Sequence, residues 1–134
     1  MKTLLERTPL SIDTAILLIR VVLAGLLGYH GYDKLMAYER MVEIFPDTIG
    51  VGGPLTAHLA IFAEFFCSIF IAVGFLTRFT VLPIMATMAA AAFIAHAGDP
   101  FEDRELALAF LGMSMVIFSL GSGKWSIDRL IFKH

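Results

Sequence analysis

The run IDTAILLIRVVLAGLLGY, residues 12–29, decides how this chain is read. Beyond its first turn it is apolar except for Arg20, and with His30 it approaches the roughly 20 residues that a helix needs to cross a bilayer. Ser11 precedes it as a helix N-cap, since its side chain can accept from the free amides of the first turn. Lys2 and Arg7 ahead of an apolar stretch loosely resemble a secretory leader, but Arg20 interrupts the stretch and further apolar spans follow. The run therefore reads as an uncleaved first span.

Working outward, three more stretches fit the same template, which places spans at about residues 12–30, 55–75, 79–96 and 105–120. The fourth follows the acidic run Glu102, Asp103, Glu105, which suits a helix N-terminus. Only Leu76, Thr77 and Arg78 join the second and third spans, a tight antiparallel hairpin. Pro83 is placed in about the first turn of the third span, where its missing N–H costs little. Between the first two spans, Leu35, Tyr38, Met41, Val42 and Phe45 recur at helical spacing against Lys34, Glu39, Arg40 and Glu43, suggesting a short interfacial helix over residues 33–45. A glycine-rich loop, residues 46–54, follows. The fold expected is all-α: a single membrane domain, residues 1–134, built as a four-helix bundle.

Composition agrees, because 58% of the 134 residues are hydrophobic and 16% are charged, too few to clothe a soluble domain. A net charge of −2 provides no basic field, so nucleic acid is not an expected partner. The bilayer is. Lys2, Arg7, Arg78, Lys124, Arg129 and Lys133 fall on one side of a four-span topology and Lys34, Arg40 and Arg104 on the other. The positive-inside rule then puts both termini in the cytoplasm, in a bacterial-type inner membrane.

Two charges inside apolar spans, Arg20 and Glu64, are the first candidates for chemistry, because an unpaired charge there is costly. Counting about 1.5 Å per residue from Ile12 and from Phe75 puts Arg20 roughly 12 Å and Glu64 roughly 16 Å deep, so the two are expected to pair. Such a pair either fixes helix register or forms a site in which Arg20 holds an anionic or carbonyl group and Glu64 accepts a proton. His30, His58 and His96 fall near the outer ends of three spans, with Asp33, Asp99 and Glu105 nearby. His30 and His96 are the better functional candidates; with Glu105 they would form a metal or acid site only if the fold made them converge, and no ligand spacing such as HxxxH occurs. No metal is called. Phe62, Phe65, Phe66, Phe70, Met85, Met88, Met113 and Met115 serve as core or lipid-facing filler, or line a pocket for a quinone ring or acyl tail.

Several ordered segments resemble the DoxX family of small four-helix membrane proteins, which includes subunits linked to quinone-dependent sulfur oxidation. They are Leu18-Ile19-Arg20, then GYHGYDKL at residues 28–35, Glu64 leading to GFLTR at residues 74–78, and the closing GSGKWSID at residues 121–128. Ser122 stands where the family usually has proline. The resemblance carries the family's recurrent polar positions onto Arg20, His30, Lys34, Glu64, Arg78, His96, Glu105 and Asp128. It implies a membrane subunit of a quinone-linked oxidoreductase, not catalytic alone, with a quinone pocket at Arg20, His30, Glu64 and His96. A soluble redox partner subunit and a homodimer are the partners expected. The alternative is a non-enzymatic scaffold or small-solute carrier with a structural Arg20–Glu64 pair.

A lone cysteine in an apolar run behaves as a small hydrophobe. Cys67→Ser is expected to leave any activity intact, and turnover lost in that variant alone would show that the thiol takes part.

Overall fold

The computed structural model of this protein describes residues 2–133. Among them there are helices and no strands: α1 (Lys2–Leu5), α2 (Ile12–Met36), α3 (Tyr38–Ile44), α4 (Gly53–Ile61), α5 (Cys67–Val73), α6 (Thr77–Ala90), α7 (Phe101–Leu120) and α8 (Ile127–Ile131). A π-helical turn, Phe62–Phe66, joins α4 to α5, and a second, Ala91–Ala95, extends α6. Three continuous helices, Ile12–Met36, Gly53–Val73 and Thr77–Ala95, are long and apolar enough to cross a membrane. Helix α7 is of similar length but carries Glu102, Asp103, Arg104 and Glu105 in its first turns.

Packing closes these helices into a ring. α2 lies against α5 and the first π turn, α5 against α6, α6 against α7, and α7 back against α2. The centre is Leu23, Leu27, Cys67, Ile71, Val81, Ile84, Met88, Phe110 and Ile117, all buried. Large apolar side chains face outward instead of being hidden: Leu18 is 59% exposed, Phe79 73% and Phe93 58%. That inside-out distribution is what a lipid solvent permits.

Local chemistry explains the ends. Ser11 caps α2, its Oγ accepting from Thr14 N at 3.2 Å, as its position suggested. Gly74 closes α5 in the left-handed region at φ 71°, and Phe75 N bonds back to Phe70 O at 2.9 Å. A β-carbon on Gly74 would lie 2.6 Å from Arg20 Nη2 and 2.5 Å from Ser126 Cβ, so only glycine fits there. Pro83 lies well inside α6, not in its first turn as expected, because the helix starts at Thr77.

Two further expectations are corrected. The first helix does not stop near residue 30; it runs on to Met36, so Asp33 and Lys34 belong to it, and the separate short helix is only Tyr38–Ile44. Nor does Arg20 pair with Glu64. Its Nε donates to Ile71 O (2.9 Å), Nη2 to Ala72 O (2.8 Å), and Nη1 to Ser122 O (2.8 Å) and Trp125 O (2.7 Å). The depth count went wrong because Ile12 and Phe75 are not level. Arg20, not Ile12, stands beside the last turn of α5, so α2 overhangs that hairpin by about 12 Å.

Arg20 thus caps the carboxyl end of α5, bonding Ala72 O and sharing Ile71 O with Gly74 N, and ties in the segment after α7. The same end of the molecule holds two similar clamps. Asp128 accepts from Leu76 N (2.6 Å) and Thr77 N (3.0 Å) at the start of α6, and Arg78 Nε donates to Phe118 O (3.1 Å) near the end of α7. Asp13 accepts from Lys124 N at 2.8 Å.

Arg20→Ala is expected to cost about 3–5 kcal/mol, because four carbonyls lose a charged donor in an apolar setting. Arg20→Lys should recover little, since an ammonium cannot fork to carbonyls on two segments. Thermal unfolding in detergent checks both, with Glu64→Gln expected to be milder; a stable Arg20→Ala variant would remove Arg20 from this role.

Candidate functional site

At the opposite end, α2 delivers Lys34 against the first π turn. Lys34 Nζ donates to Glu64 Oε2 at 2.5 Å, and the Glu64 side chain is 8% exposed against 26% for Lys34. The partner of Glu64 is therefore Lys34, which the sequence pattern had placed on the polar side of an interfacial helix. Gly31, one turn before Lys34, makes the approach feasible. A β-carbon there would sit 2.5 Å from Phe65 N and 2.6 Å from Glu64 C, so α2 touches the π turn backbone to backbone.

Two cavities share this pair. The larger, about 480 Å³, lies between α4 and α6 beneath the loop after α3. Leu59, Ala60, Phe62, Pro83, Ala86 and Ala90 wall it, Phe45, Pro46 and Ile49 cover it, and Lys34 and Glu64 supply its charge, with His96 also in its lining. The smaller, about 210 Å³, lies between α2, the second π turn and α7, lined by Leu27, Met88, Phe110, His30, Asp103, and again Lys34, Glu64 and His96. Both π turns border the site, one carrying Glu64 and the other ending just before His96. Such turns arise where a helix admits an extra residue, frequently at functional positions.

His96 Nδ1 lies 2.8 Å from Asp99 Oδ2, and both side chains are partly exposed, at 42% and 49%. An ionised carboxylate only accepts, so Nδ1 carries the proton and Nε2 is left free. His30 is exposed on α2, its ring edge-on to Phe110 at 6.1 Å between centroids. His58, by contrast, is committed: Nδ1 donates to Pro54 O at 2.6 Å and Nε2 accepts from the Tyr38 hydroxyl at 2.6 Å, pinning α3 to α4.

Of the sequence candidates, the fold thus gathers Glu64, His30 and His96. Arg20 is elsewhere, clamped at the far end, and lines neither cavity. Glu105 is exposed on α7 and lines neither. Among the described residues no group of three or more His, Cys, Asp or Glu side chains is placed to hold a metal ion, so His30, His96 and Glu105 do not converge as one. Lys34 and Asp103 are the additions; the one signal for Lys34 was its recurrence in the resemblance.

The DoxX family model matches residues 15–97, a stretch that includes Arg20, Lys34, Glu64 and His96. The chain belongs to the DoxX family. No curated protein and no solved structure matches it. The matched DoxX region ends just past His96, so Asp103 on α7 and the Asp128 clamp lie beyond it. Of the polar positions that the resemblance singled out, Arg20, Arg78 and Asp128 bind backbone at one end of this DoxX chain, His30, Lys34, Glu64 and His96 line cavities at the other, and Glu105 does neither.

The Lys34–Glu64 bond is expected to appear in a double-mutant cycle. Lys34→Met and Glu64→Gln should each cost about 2 kcal/mol, and the double variant clearly less than their sum. Denaturation in detergent measures all three; additive losses would mean the two side chains do not interact.

Proposed function

We propose that this DoxX-family protein is a membrane subunit of a quinone-linked oxidoreductase system, holding a quinone head at Lys34, Glu64 and His96. One observation carries the reading: a mostly apolar cavity, about 480 Å³, is lined by a half-buried ion pair. That volume is within the usual range of small-molecule sites. Its wall suits an isoprenoid or acyl tail and its end suits a polar ring. A freely polar solute would gain nothing from Leu59, Phe62 and Ala90, and a plain hydrocarbon would leave Lys34 and Glu64 without use.

In this reading Lys34 donates to a ring carbonyl oxygen, Glu64 orients Lys34 and exchanges a proton, and the apolar wall excludes water from the tail. A quinone, when bound, supplies coupled electron and proton uptake. The chain has no electron-carrying motif of its own, so a soluble redox partner brings the electrons. The chain crosses a bacterial-type inner membrane four times, α7 being the fourth span, with both termini cytoplasmic. Support for that orientation comes from Arg78, Lys124 and Arg129, grouped at the Arg20 end of the molecule.

Protein purified in mild detergent is expected to retain quinone, quantified by mass spectrometry of the organic extract. Lys34→Met and Glu64→Gln should lower occupancy about tenfold, the loss of one charge-assisted bond. Arg40→Ala, on the exposed face of α3, should keep it. Wild type that holds none, even after incubation with added quinone, would overturn the reading and favour a carrier or scaffold.

A further inference from the structure

The site has two mouths of opposite character. Leu59, Phe62 and Ala90 give the larger cavity an apolar wall, whereas the smaller adds His30 and Asp103 to the Lys34, Glu64 and His96 that both share, beside Leu27, Met88 and Phe110. At about 210 Å³ the smaller has room for several waters, each taking about 30 Å³ in the liquid, and enough polar groups to hold them. Glu64 is 6% exposed, yet it lines both.

We propose that the smaller cavity is a water-filled proton port, joining the medium on the α3 side through the His96–Asp99 pair to Glu64. For its purpose this rests on the quinone reading above, in which Glu64 exchanges a proton with a bound head. In the inward step a proton leaves the imidazolium of His96, crosses cavity water and forms the O–H of Glu64. His96 is left neutral, and water restores its proton; the outward step is the reverse. The charged and titratable groups around the route are Lys34 and His30 from α2, Asp103 from α7, and Asp99 on His96. Lys34 and Glu64 offset each other across the cavity, and Asp103 adds a carboxylate on its α7 wall.

The port opens to one side only. Toward the Arg20 end, Leu23, Ile71, Val81, Ile84 and Ile117 are fully buried and close the interior. The buried serines donate inside their own helices, Ser68 to Glu64 O at 2.6 Å and Ser114 to Phe110 O at 2.7 Å, and the unpartnered Thr77 Oγ1 lies outside this layer, at the first residue of α6. None of the five plug side chains carries a polar atom.

The test uses the full chain with Cys67→Ser, which removes its one thiol, and single cysteines at Ala107→Cys in the port, Ala90→Cys in the larger cavity and Val81→Cys in the plug. Cells and inside-out vesicles are treated with a charged, membrane-impermeant thiosulfonate. Ala107→Cys is expected to react from one face only, at least about tenfold faster than Ala90→Cys or Val81→Cys, a gap of about 1.4 kcal/mol in barrier. Ala90→Cys should instead react with an apolar maleimide, which also shows that the variants are folded and present. In parallel, infrared difference spectra of the protonated Glu64 carboxyl should show slower deuterium exchange in His96→Ala than in wild type. Ala107→Cys inert to the charged reagent from both faces, Val81→Cys labelled as fast, or unchanged exchange in His96→Ala would each overturn the port. Labelling as expected in protein that holds no quinone would keep the port and reject the quinone reading.

Discussion

A guanidinium that donates to four backbone carbonyls holds one end of this molecule together. Arg20 reaches Ile71, Ala72, Ser122 and Trp125, so a single side chain joins α2, the end of α5 and the segment after α7. In lipid no water can take over when a carbonyl is left free, and arginine is the residue whose flat, always-charged fork can serve several at once. The glycine at position 74 leaves the space that the fork occupies. Asp128 performs the complementary task on the amides at the start of α6.

That clamp also sets the axial position of α2, and the position of α2 determines what meets at its other end. With Arg20 level with the end of α5, Gly31 falls against the first π turn and Lys34 against Glu64. A slide of one turn, about 5.4 Å, would move Lys34 out of reach and drive side chains into the Phe65 backbone. Stability and site are therefore coupled through a rigid helix, although the two ends share no side chain.

The division of labour follows from what each end must satisfy. At the Arg20 end Arg20, Arg78 and Asp128 are committed to backbone. At the Lys34 end the helices are loosened by two π turns and a proline within α6, and the space so created is walled by small residues such as Ala60, Ala86 and Ala90. Charge remains available there because Lys34 and Glu64 bind each other and little else. The exchange of a ligand and a proton proposed for this site needs that surplus.

Much of the fold was legible from residue order. Long apolar runs fix where helices lie and imply lipid as solvent; Ser11 and the acidic start of α7 mark helix starts; and an arginine and a glutamate inside such runs had to be bound to something. The family resemblance was legible as well, and with it Lys34 as a position of interest. What the sequence could not decide was the partner of each buried charge. Hydropathy and helical period are properties of one segment, whereas Arg20 meeting carbonyls and Glu64 meeting Lys34 depend on how far one helix is shifted along another. That shift is set by contacts such as Gly31 on Phe65, between residues far apart in the chain, and only the folded structure supplies it.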